Sequence, residues 1–152
     1  VWWVSETDVR KTTFTRYIIN NLQNQRGLKE TEVLSPTFNL LYEYEIKDLK
    51  IMHYDLYQIK RTNELDQLGI YKKKKKTVKI IEWPDLIKTP LNNKLEIHLE
   101  YGENDKERKM KLHGLSKWKD FEYIRLYFSM KSRRVDFNNQ WNIGRSTWKH
   151  FQ

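Results

Sequence analysis

Phe14, Ile18 and Leu22 recur every four residues with Tyr17 beside them, while Arg16, Asn20, Gln23 and Asn24 fall elsewhere. That spacing keeps the apolar side chains on one helical face and predicts a helix over roughly Lys11 to Arg26, stopped by Gly27. The apolar run Val1 to Val4 ahead of it reads as a buried strand feeding that helix through Ser5 to Arg10. After it come a strand around Val33, a break at Ser35-Pro36-Thr37, and the alternating segment Phe38 to Ile46, with Leu40, Tyr42 and Tyr44 on one face. Asp48 turns the chain into Lys50 to Tyr57, where Ile51, His53, Asp55 and Tyr57 alternate with Met52, Tyr54 and Leu56, a hairpin pattern.

Thr62 to Leu68 predicts a short helix ended by Gly69. Thr77 to Glu82 reads as a strand of the buried type, cut off by Trp83-Pro84 because proline cannot donate to a sheet ladder. Lys94 to Tyr101 and Glu107 to Leu112 alternate around Gly102 to Lys106, a second hairpin. Strands around Val33, Ile51 and Ile81 are expected in one sheet, with the first helix packed on it through Phe14, Ile18 and Leu22. The order of elements makes an α/β domain with a mixed sheet. From Lys119 onward Phe121, Ile124 and Phe128 share a possible helix face, and Val135 to Gln152 shows no stable period.

The chain has 152 residues, 38% of them hydrophobic, enough for one domain around a single core. Its lack of cysteine excludes a disulfide scaffold, a thiolate metal site and a cysteine nucleophile. With neither a charged-then-apolar leader nor a long apolar run, it is expected to be a soluble cytoplasmic protein. The net charge of +9 raises nucleic acid as a partner, but the excess sits in Lys72 to Lys76 and in residues 121–152. A lysine run reads as a solvated loop before it reads as a binding groove.

Four stretches are candidates for chemistry. Lys11-Thr12-Thr13 opens a helix after a strand and loop, as the end of a G-x-x-x-x-G-K-[ST] phosphate loop does, but Ser5 and Arg10 stand at its glycine positions. Taken alone it also reads as an ordinary helix start. Ser35-Pro36-Thr37-Phe38 is a proline-fixed break, or simply a turn. Asp55 ends an apolar strand, where a carboxylate serves either as a Mg²⁺ ligand or as a surface or capping group. Glu82 ends a buried strand beside a proline, where open α/β sheets bind ligands. His53, His98 and His113 lie in strand patterns without a second ligand at metal spacing and read as packing or surface residues.

In order along the chain, Lys11-Thr12-Thr13-Phe14-Thr15-Arg16, Ser35-Pro36-Thr37-Phe38 with Tyr42-Glu43-Tyr44, His53-Tyr54-Asp55-Leu56-Tyr57, Glu64-Leu65 with Leu68-Gly69, Ile81-Glu82-Trp83-Pro84 and Leu95-Glu96-Ile97 resemble the TsaE family at its own spacing. The resemblance covers about residues 4 to 118 and rests on the ordered set. It implies a P-loop NTPase-like three-layer α/β fold with a mixed, mostly parallel central sheet and β-hairpins. It also implies ATP and Mg²⁺ as cofactors, and a role supporting threonylcarbamoyladenosine (t6A) modification of tRNA next to the anticodon. The implied partner is the TsaB–TsaD heterodimer, with tRNA met only indirectly and no membrane involved. Carried over by position, Lys11, Thr12, Thr13, Thr37 and Trp83 would meet ATP. Thr12, Asp55 and Glu82 would hold the metal, and Glu82 and Asp55 would be the catalytic carboxylates.

Against that pattern, the family's glycine-rich G-D-L-G-A-G stretch reads Ser5-Glu6-Thr7-Asp8-Val9-Arg10. The resemblance also implies a further strand and helix ahead of the loop strand. Residues 1–118 are therefore expected to form an ATPase domain lacking that strand and helix, followed by a divergent tail, 119–152, helical and then disordered. Two other classes stand beside this reading. One is a non-catalytic partner in the same assembly that no longer binds nucleotide; the other is a basic RNA-binding module built on Lys72 to Lys76 and the tail.

Overall fold

A computed structural model describes residues 2–4, 11–89, 91–101, 107–116, 118, 124–131 and 134–137. Their elements in chain order are β1 (Trp2–Val4), α1 (Lys11–Gln25), β2 (Leu41–Ile46), β3 (Leu49–Asp55), α2 (Thr62–Gln67) and β4 (Thr77–Glu82), then a 3-10 turn (Pro84–Leu86), β5 (Leu95–Tyr101), β6 (Glu107–Gly114), β7 (Ile124–Lys131) and β8 (Arg134–Phe137). The strands form one sheet in the order β2-β3-β4-β1-β5-β6-β7-β8. β3, β4, β1 and β5 run parallel at its centre, and antiparallel strands extend it on both sides. The sheet is mixed, as expected, but not mostly parallel, because four of its seven pairings join consecutive strands antiparallel.

Strand alternation sorts the core into two halves. Ile51 and Ile80 point to the face covered by Phe14, Ile18, Ile19 and Leu22 of α1, with Leu95, Ile97 and Leu99 of β5 in the same cluster. Met52, Tyr54 and Ile81 point the other way and pack with Leu56, Ile59, Leu65 of α2 and Ile70. The result is three layers, α1, sheet and α2. The Tyr54 hydroxyl donates to the Leu68 carbonyl at 3.1 Å, and burial pushes its pKa up to about 12, so it stays a donor at ordinary pH. Ile19 is fully buried at the centre of the α1 contact. Ile19→Ala is expected to cost about 2–5 kcal/mol of stability, measured as a lower urea midpoint at unchanged slope.

Several expectations need correction. Val33 is buried but lies in no strand; its carbonyl accepts from the Arg16 guanidinium at 2.9 and 3.1 Å, which gives the backbone a side-chain partner in place of a ladder. Phe38 to Leu40 belong to a turn rather than to β2: Leu40 takes φ 62° and its N–H reaches the Pro36 carbonyl. Tyr57 lies beyond the end of β3 and is exposed. The helix expected on Ile124 and Phe128 is strand β7, paired with β6 and β8, so the sheet continues past residue 118. Phe121, the loop Ser5 to Arg10, the turn Gly102 to Lys106 and residues 138–152 lie outside the described residues.

Gly27 and Gly69 both take φ 69° and end their helices as anticipated. Lys72 to Lys76 form an exposed loop between α2 and β4. Among the described residues no helix is long and apolar enough to cross a membrane. On β5, burial would raise the Glu96 pKa, but hydrogen bonds from Lys94 at 2.5 Å and His113 at 3.3 Å hold it below the ordinary carboxylate range. A carboxylate whose pKa is lower folded than unfolded adds stability above the unfolded value and loses it as pH falls through the folded one. Glu96→Gln should therefore lower the melting temperature at pH 7, with the difference closing below about pH 4.

Candidate active site

β3 and β4 run parallel with Asp55 and Glu82 as register partners, so both carboxylates leave the carboxyl ends of their strands on one face, the face of α1. β1 flanks β4 on the other side, and the start of α1 brings Lys11 and Thr12 to the same place. The cleft formed there has a volume of 680 Å³ and is lined by Lys11, Thr12, Ser35, Thr37, Asp55, Tyr57, Glu82 and Trp83. Thr13 does not line it. Lys11, Thr12, Thr37, Asp55, Glu82 and Trp83, the other residues that the resemblance assigned to ATP or the metal, all line it, although they are spread from position 11 to position 83.

The carboxylates are each 3% exposed and each is held by a hydroxyl. Thr37 Oγ1 donates to Asp55 Oδ2 at 2.7 Å, and Ser35 Oγ, 2.8 Å from Thr37 Oγ1, completes a chain by donating to it. Asp55 Oδ1 accepts the Tyr57 backbone N–H at 2.9 Å, which fixes the turn after β3. Thr12 Oγ1 donates to Glu82 Oε1 at 3.2 Å, so the hydroxyl at the helix start is matched with Glu82 and not with Asp55. His53 Nε2 also lies 2.7 Å from Glu82 Oε1.

Trp83 takes φ 57° and ψ 60°, a left-handed backbone that costs a side-chain-bearing residue about 1–2 kcal/mol. Pro84 starts the 3-10 turn directly after it. The bend lays the Trp83 ring 3.2 Å, centroid to Nζ, from the buried Lys11 ammonium and 5.1 Å from the Tyr57 ring. Ser35, Tyr57 and His53 were not assigned to the site from the sequence. For His53 the available signal was its place two residues before Asp55, hence on the same strand face.

Fold and cleft define an α/β protein with a buried, oxygen-rich and cationic site at the carboxyl ends of parallel strands, beside a helix start. A sequence model of the family described as Threonylcarbamoyl adenosine biosynthesis protein TsaE matches residues 7–110, and the chain belongs to the TsaE family. It is 38% identical over 97 residues to the tRNA threonylcarbamoyladenosine biosynthesis protein TsaE of Rickettsia typhi, covering 63% of this chain and 65% of that one. The Rickettsia conorii protein of the same name is 38% identical over 97 residues, covering 63% and 53%. The chain thus spans about half to about two thirds of the length of the curated relatives it matches. Its fold is similar to the crystal structure of Bacillus subtilis YdiB, with a TM-score of 0.53 and 19% identity, over 79% of this chain and 72% of that one.

Proposed function

We propose that the cleft binds the phosphates of ATP with Mg²⁺, and that the chain is an ATP-hydrolysing subunit supporting t6A modification of tRNA in the cytoplasm, with the TsaB–TsaD heterodimer as partner. The observation that carries this reading is the meeting of Lys11, Thr12, Thr37, Asp55 and Glu82 in one cleft. Surface residues so far apart in sequence have no reason to converge.

The donor set suits the ligands. Among the described residues no group of three or more His, Cys, Asp or Glu side chains could hold a metal ion. Mg²⁺ that arrives with nucleotide needs only one or two carboxylates, because phosphates and water fill its other positions. Thr12 with Glu82 and Asp55 supplies hard oxygen ligands of that kind. When bound, the ion neutralises charge on the phosphates. Lys11 carries the positive charge that meets the terminal phosphates, with Thr13 following it at the helix start. Thr37, hydrogen-bonded to Asp55, is a switch-like contact near the γ-phosphate. Trp83 and Tyr57 wall the cleft. Glu82 is the carboxylate that orders the attacking water.

The test has two parts. Calorimetric titration with ATP should detect binding that Mg²⁺ strengthens, and expression in a bacterium depleted of its own family member should restore t6A, measured by mass spectrometry of tRNA nucleosides. ATP binding without restored t6A would remove the pathway assignment. Restored t6A without ATP binding would favour a non-catalytic partner in the same assembly.

A further inference from the structure

The geometry points to His53 as a positioning residue that locks the Glu82 carboxylate in one orientation, a role that rests on the reading of the cleft as a nucleotide and Mg²⁺ site. His53 is wholly buried on β3, and its Nε2 lies 2.7 Å from Glu82 Oε1. Its other ring nitrogen, Nδ1, is buried and has no hydrogen-bond partner among the described residues. A neutral imidazole carries its single proton on one nitrogen or the other. A proton on Nδ1 would be a buried donor with nothing to receive it, and it would leave two acceptors facing each other across 2.7 Å. Whenever Glu82 is the acceptor, a proton sits on Nε2 and is donated to it.

That donation decides how the carboxylate is presented. The bonds from His53 and Thr12 both end on Oε1, one from β3 and one from the start of α1. A glutamate carboxyl otherwise turns about its Cγ–Cδ bond, and two donors on separate elements stop that rotation. Oε2 takes neither bond, which leaves it as the oxygen free of these two donors in a carboxylate that lines the cleft. His53 itself does not line the cleft, so it acts through Glu82 and touches no ligand. Outer partners that orient a metal-binding carboxylate are commonly worth about 10–100-fold in metal affinity.

Two measurements test the assignment. In the ligand-free chain, ¹⁵N NMR of the His53 ring should find the proton on Nε2, with a resonance that moves in Glu82→Gln. In the second, calorimetry with ATP gives the factor by which Mg²⁺ tightens binding in His53→Gln and in His53→Asn. The glutamine amide nitrogen can stand where Nε2 stands, whereas that of asparagine stands where Nδ1 stands. The glutamine variant should keep the Mg²⁺ factor within about threefold, and the asparagine variant should lose at least about tenfold of it. A role in packing alone would treat the two amides alike. A proton on Nδ1 with none on Nε2, or equal Mg²⁺ factors in the two variants, overturns the assignment. If the unaltered chain binds no ATP, the nucleotide reading falls, and the ring tautomer still decides whether His53 holds Glu82.

Discussion

Ser5→Gly, Asp8→Gly and Arg10→Gly together are expected to tighten ATP binding in the presence of Mg²⁺ by about a hundredfold. Glycine is used at those positions because the loop there takes positive φ and brings backbone N–H groups against the phosphates, and a side chain costs about 1 kcal/mol or more at such a position. Asp8 also adds a negative charge to the stretch where the family's pattern has glycine. Two recovered charge-assisted hydrogen bonds, each worth about 1.5–3 kcal/mol, give a factor of about a hundred or more. Losing the Arg10 guanidinium offsets part of that gain. Calorimetry of the chain and the triple variant decides the matter, and equal, tight binding by both would show that the glycines are dispensable.

Lys11→Met should weaken ATP binding by about a hundredfold or more in either background. Lys11 is 3% exposed with its ammonium over the Trp83 ring, so the site already carries a desolvated cation facing the cleft. Methionine keeps the length and packing of the stem while removing the charge, which separates the electrostatic loss from a structural one. A phosphate meeting the Lys11 ammonium would change the charge held against the Trp83 ring, so ATP should change Trp83 fluorescence in the unaltered chain and not in Lys11→Met. Subtracting the signal of Trp83→Phe isolates that residue among the six tryptophans. Unchanged affinity in Lys11→Met would contradict the role of the lysine.

What could be read from the sequence depended on whether one period or one neighbour settled the structure. α1 and β4 were legible because each pattern fits a single period and ends at a glycine or a proline. β7 was not, because Ile124 and Phe128 are four apart, a spacing that a helix and a strand share. The intervening Leu126 and the following Met130 complete a strict alternation that marks the strand. Val33 looked like a strand residue from its neighbours, and only the approach of Arg16 across seventeen positions explains its loop. The cleft residues were legible through the ordered motifs. The match of Thr12 with Glu82 and the burial of His53 against it were not, since both follow from β4 lying between β1 and β3. Strand order is a property of the whole sheet and is not written in any one motif.

The most direct test of the proposal that the cleft binds nucleotide is ¹H–¹⁵N NMR of the full chain titrated with ATP and Mg²⁺. The expected result is a saturable set of amide shifts centred on Lys11, Thr12, Thr37, Asp55, Glu82 and Trp83, which line the cleft together. Shifts centred instead on the exposed Lys72–Lys76 loop and weakening steeply with added salt would mean that ATP meets only surface charge, and would contradict the assignment of the cleft.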